Sequence, residues 1–238
     1  MRTFRKAALR RTLAIVAGAA AAGLLTGCVP GPAQPSPQAS TSTPATSGPV
    51  PSATASAPPS ASAPVTVKPS LSKEAQMETD RQLILAAKAN DPARVKELIE
   101  AGGNVNAKDA IQDSAFLYAG AEGFNEVLEL TLAAGADVRS INRYGGTALI
   151  PASEHGYVDT VRILIAAGVP VDHVNNLGWT AMQEAILLNN GGPRQQDVVR
   201  QLLDVGADPD IRDPQGRTAL QNAERLGFAE IAALIRAR

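Results

Sequence analysis

The tightest constraint on what this chain can fold into is a recurrence. Gly102, Gly135 and Gly168 stand 33 residues apart, and so do Ser114, Thr147 and Thr180. The next steps, Gly168 to Gly206 and Thr180 to Thr218, are each 38, so one unit carries five extra residues between Thr180 and Gly206. A period of this length marks one small supersecondary unit copied along the chain. No unit of that size buries its own apolar face, so the copies must stack and share one interior.

Within each copy the residues point to two short helices. Val161, Leu164 and Ile165 recur at helical spacing, as do Val127, Leu128, Leu130 and Leu132, so the second helices carry apolar stripes. The hydroxyls of Thr147, Thr180 and Thr218 are placed to cap the first helices. Gly123, Gly156 and Gly227 fall where those helices end, at positions that favour a left-handed residue. In the first copy Asn90-Asp91-Pro92 supplies a cap and a first-turn proline for a second helix over Ala93 to Glu100. Pro151 lies in the first turn of its helix, where a missing N–H is tolerated.

The motifs themselves resemble the ankyrin repeat. Gly145-Gly146-Thr147-Ala148-Leu149, Gly178-Trp179-Thr180-Ala181-Met182 and Gly216-Arg217-Thr218-Ala219-Leu220 look like its helix-start motif. Gly102-Gly103-Asn104-Val105-Asn106, Ala134-Gly135-Ala136-Asp137-Val138, Ala167-Gly168-Val169-Pro170-Val171 and Val205-Gly206-Ala207-Asp208-Pro209 look like its helix-exit motif. The resemblance implies an all-α ankyrin-repeat solenoid over 71–238, of about five helix-turn-helix units with projecting turns. The units fall near 76–108, 109–141, 142–174, 175–212 and 213–238. There are departures from the family pattern. Ala148, Ala181 and Ala219 stand where a proline is usual, Leu117, Ile150, Gln183 and Gln221 where a histidine is usual, and Gln112 where glycine is expected.

The region before the repeats is of another kind. Residues 1–28 read as a secretory signal: a basic start through Arg11, then an apolar run of 13 residues from Leu13 to Leu25. Leu25-Thr26-Gly27-Cys28 resembles the bacterial lipobox, which implies a diacylglycerol thioether on the Cys28 sulfur and cleavage just before it. Cys28 is the only cysteine, so no disulfide forms within the chain. Residues 29–70 are built almost entirely from Pro, Ala, Ser, Thr, Gly and Gln, with 11 of the 17 prolines, and cannot bury enough apolar surface to order themselves. They are expected to be a disordered tether, reaching on the order of 120 Å if extended at about 3.1 Å per residue. These features place the chain at the cell membrane, lipid-anchored and facing the periplasm or cell exterior.

Charge and composition narrow the function. All 23 acidic residues lie beyond position 70, against sixteen Lys and Arg, so the repeat region carries a net charge of −7. A negative domain does not attract phosphate backbones, which argues against nucleic acid as a partner. Catalysis or a metal would need clustered reactive side chains. His155 and His173 are the only histidines and fall at different places in the repeat, so no catalytic site, metal or cofactor is expected.

The resemblance implies instead a non-enzymatic, protein-binding scaffold, expected to be monomeric, with a protein partner that the sequence does not name. Carried over by position, its contact strip is Ile111 and Asp113; Arg143, Tyr144, Glu154 and His155; Asn176, Leu177, Trp179, Leu187 and Leu188; and Gln215, Arg217 and Arg225. Two other readings stand beside it. One is an accessory factor in peroxide or stress protection, as in some periplasmic ankyrin proteins that accompany catalase. The other is a hydrolase or metal-dependent enzyme built on the repeats.

Overall fold

The computed structural model describes residues 71–238; the expected signal peptide with Cys28 (1–28) and the expected tether (29–70) fall outside them. The described residues form ten α-helices and no strand. They run α1 (Lys73–Lys88), α2 (Pro92–Glu100), α3 (Ala115–Glu122), α4 (Asn125–Ala133), α5 (Leu149–His155), α6 (Val158–Ala166), α7 (Ala181–Leu187), α8 (Pro193–Asp204), α9 (Ala219–Leu226) and α10 (Ala229–Arg236). Odd-numbered helices pack on odd and even on even, while each odd helix also packs on the even helix that follows it. Two rows of helices result, with the core between them.

The sequence period appears directly as columns of buried side chains. Val95, Leu128, Val161, Val199 and Ala232 form one column of second-helix residues, and Leu98, Thr131, Leu164, Leu202 and Ile235 form another. Thr131 is a hydroxyl in an apolar column. It is satisfied within its own helix, donating from Oγ1 to the Leu128 carbonyl at 2.8 Å. Such a column removes apolar surface from water at every step, which makes stacking favourable.

The tips between units are built by one repeated device. Asp109, Asn142, Asn175 and Asp213 each accept, through one side-chain oxygen, backbone N–H bonds from residues two and four positions ahead, at 2.8–3.0 Å. This Asx geometry folds the tip without help from a neighbour. It also demands a left-handed residue three positions on, supplied by Gly145, Gly178 and Gly216 at φ 70, 77 and 75°. Gln112 occupies the same place at φ 65°, and for a residue with a Cβ that costs on the order of 1 kcal/mol.

Side chains also stitch one unit to the next. Asn106 and Asp172, at equivalent positions, accept the backbone N–H of Asp137 and Asp208 at 2.7 and 2.9 Å. The intervening pair is Arg139 and Pro170, an acceptor lost opposite a donor lost, so no buried group is orphaned there.

Helix starts differ from expectation at one place. Ser114, Thr180 and Thr218 cap α3, α7 and α9 through the hydroxyl, the last two in full capping boxes with Gln183 and Gln221. Thr147 does not: its Oγ1 is buried without a partner, and the helix starts after Ala148. The cause is Pro151, which lacks the N–H that would bond the Thr147 carbonyl. The Ile150 N–H takes that carbonyl instead, at 3.2 Å, and the hydroxyl is left over.

The extra residues of the fourth unit do not all sit in a loop. The connection from Leu188 to Gly192 is longer than the Gly-aromatic link of the second, third and fifth units, and α8 has 12 residues where α4 and α6 have 9. The connection packs on both neighbours. Asn189 Nδ2 donates to the Glu154 carbonyl at 2.5 Å, and a Cβ on Gly191 would lie 2.5 Å from the Phe228 ring.

Candidate binding groove

The first helices and the tips enclose an open groove of about 320 Å³ across α3, α5 and α7. Its lining follows the repeat. Tyr118, Pro151 and Glu184 are equivalent first-helix positions, and Glu122, His155 and Leu188 are equivalent one turn later. The tips contribute Asn142, Arg143, Tyr144, Asn175 and Leu177. Three apolar groups on its walls face solvent: Tyr144, Leu177 and Leu188, at 55, 53 and 47 % exposure.

The groove is electrically one-sided. Asp113, Glu122, Glu154 and Glu184 line it, with Arg143 as the one Lys or Arg. Asp113 is 8 % exposed and compensated, 3.5 Å from both Lys88 and Arg143. Arg143 is further engaged, its guanidinium carbon 4.6 Å above the Tyr144 ring centre. Lys88, which does not line the groove, also holds Asp109 at 2.6 Å. His155 also lines the groove but is held in place: Nδ1 meets the Pro151 carbonyl at 2.8 Å and the ring stacks on Tyr157 at 5.3 Å.

Glu184 is the exception. It is 6 % exposed, and its one hydrogen bond is accepted at Oε1 from Asn175 Nδ2 at 2.6 Å. No ion pair reaches it among the described residues. Burial chiefly, and then the Glu154 charge, push its carboxyl from the ordinary 4.5 up to about 7, against the Asn175 hydrogen bond and the charge of His155.

Of the residues expected at a contact strip, Asp113, Arg143, Tyr144, Glu154, His155, Leu177 and Leu188 come together around this groove. Asp113 differs from expectation in being buried beneath the tip, because its carboxylate holds Lys88 and Arg143 there. Ile111, Asn176, Trp179, Leu187, Gln215, Arg217 and Arg225 do not line it. Trp179 is half-buried, its indole Nε1 enclosed without an acceptor. Arg217 is committed to its own turn, with Asp213 at 3.1 Å and Asn222 at 2.8 Å. Glu184, Tyr118, Glu122 and Asn175 were not expected. The available signal was the 33-residue step itself, which carries Tyr118 through Pro151 to Glu184.

Comparison with known proteins agrees with this architecture. The family model for ankyrin repeats in three copies matches residues 83–175 and 116–213. An ankyrin repeat domain from Acinetobacter baumannii AYE, solved by crystallography, is 56 % identical over 65 % of this chain and 79 % of its own, with a TM-score of 0.64. The crystal structure of the ankyrin repeat protein EF0377 is 41 % identical over 65 % of this chain and 78 % of its own, with a TM-score of 0.63. YahD, an ankyrin repeat protein of Escherichia coli (strain K12), is 50 % identical over 52 residues, which span 22 % of this chain and only 26 % of that protein.

Proposed function

The chain belongs to the ankyrin-repeat family, and from that premise we propose that it is a non-enzymatic scaffold that binds a protein in the groove across α3, α5 and α7. The observation that carries this reading is the exposure of Tyr144, Leu177 and Leu188 around one concavity. Aromatic and aliphatic groups grouped this way supply contact energy once a partner excludes water from them. We place the domain outside the cytoplasm, held at the membrane by acylated Cys28 and set off from it by residues 29–70. Two or more acyl chains, at about 0.8 kcal/mol per buried methylene, make such attachment stable.

One experiment separates the two halves of this reading. The wild-type chain, Cys28→Ser and Tyr144→Ala/Leu177→Ala are expressed in the same cells, fractionated and used for affinity capture. Cys28→Ser is expected to leave the membrane fraction yet retain the captured protein. The groove variant is expected to stay at the membrane and lose at least tenfold of that protein, since each truncation removes about 1 kcal/mol or more of interface energy. Capture unchanged in the groove variant would remove the scaffold reading; Cys28→Ser remaining at the membrane would remove the anchor.

A further inference from the structure

We infer that the groove recognises a cationic side chain of its partner, an arginine or lysine, with Glu184 as the buried counter-charge. This rests on the scaffold reading and adds the partner's chemistry to it.

Three observations converge on a cation. The first is charge: Glu122, Glu154 and Glu184 line the groove without an ion-pair partner among the described residues. Arg143, the one fixed cation on the lining, is already held by Asp113 and by the Tyr144 ring. The second is Glu184 itself, more than nine-tenths buried, lining the cavity, and satisfied at one oxygen only. A buried carboxylate in that condition is costly unless a donor or cation reaches its second oxygen. Oε2 takes no hydrogen bond from any described residue and is not among the enclosed, unpartnered atoms, so on this lining residue it is the oxygen that a donor from outside can reach. The third is the shape of the walls. Leu177 and Leu188, above the buried Leu117 and Ile150, offer apolar surface to an aliphatic stem, while the carboxylates receive its head. Arginine and lysine are the side chains with that division between stem and tip. The raised affinity of the Glu184 carboxyl for a proton is consistent with this: in the empty groove a proton neutralises what a partner's cation would otherwise compensate.

The neighbouring units do not repeat the arrangement. The residue equivalent to Glu184 is Pro151 in one direction and Asn222 in the other. Asn222 donates from Nδ2 to Asp213 at 2.9 Å, and that carboxylate also holds Arg217 at 3.1 Å. Donor and acceptor have exchanged places there, and the charge is already neutralised by the chain's own arginine. Only at Glu184 is the carboxylate buried in the groove and left for an outside cation.

The test uses the full chain and a labelled, capped leucyl-arginyl-leucine tripeptide, followed by fluorescence anisotropy at pH 8. The citrulline counterpart keeps the shape of arginine, lacks its charge, and carries a carbonyl acceptor where arginine has one of its NH2 donors. The wild type is expected to bind the arginine peptide at least tenfold more tightly than the citrulline peptide, and Glu184→Gln to bind the two alike. Equal affinities in the wild type, arginine preference retained by Glu184→Gln, or no saturable binding of either peptide would each overturn the inference. If the preference is absent while Tyr144→Ala/Leu177→Ala still loses its captured protein, the cation reading fails and the scaffold stands. If the groove variant keeps its protein, the scaffold itself has failed.

Discussion

Glu184→Gln is expected to make the protein more stable at pH 8, by about 2 kcal/mol, and to leave it unchanged near pH 4. In the folded chain the carboxyl titrates at about 7, raised from 4.5 by burial first and by the Glu154 charge second. Between those values the folded state binds a proton that the unfolded state releases, so the wild type loses stability as pH rises from about 4.5 to about 7 and stays at the lower level above it. A shift of this size corresponds to about 3 kcal/mol at most; solvent reaching the carboxylate through the open groove reduces it to about 2. Glutamine keeps the acceptor for Asn175 Nδ2 and carries no charge, so it does not take part in this loss. Denaturant unfolding of both chains at pH 4, 6 and 8 reads the effect. A difference that stays constant with pH, or a variant less stable at pH 8, would show that Glu184 is not held uncompensated.

The sign gives the measurement its functional meaning. A residue kept only for the fold should destabilise when altered, whereas here the natural residue is the less stable choice. Groups of that kind belong to sites where stability is given up for binding. Gaining stability and losing preference for arginine in the same substitution would tie the two together.

Gly120→Val is expected to be the most damaging change, costing about 3 kcal/mol or more. Gly120 lies within α3 at the crossing with α5, and a Cβ there would come 2.8 Å from the Ala148 Cβ, which is fixed to the backbone. The two helices touch through the absence of a side chain, so valine must force the second unit from the third. Thermal or denaturant unfolding checks this. The milder Gly120→Ala, combined with Ala148→Gly, supplies a cycle in which the second change is expected to recover most of what the first removes. Valine tolerated at position 120, or no coupling in the cycle, would mean that α3 and α5 do not meet there.

How much of this could be read from the residues follows from what repeats. The helix pairs, the Thr180 and Thr218 caps and the closing glycines recur at fixed steps, so composition at each step was enough to place them. Thr147 matches the same motif and still fails to cap, because the cause lies four residues on, in Pro151. The groove was partly legible: tip residues such as Tyr144 and Leu177 could be carried over by position. Glu184 could not be singled out, because its importance comes from burial and from the Glu154 charge, and neither is visible in a string of letters. Asp113 was legible as a tip residue but not as a buried one, since Lys88 lies in the unit before it and Arg143 in the unit after. Gly120 falls at no motif position; only the approach of Ala148 gives it meaning.

The central claim is that this protein meets its partner with the first-helix and tip side of the stack, not with the second helices. A photoreactive amino acid placed at Leu177 in the groove, and separately at Glu129 on the exposed side of α4, tests it in intact cells. The account predicts a discrete protein adduct from position 177 and none from position 129. An adduct from position 129 alone would contradict it.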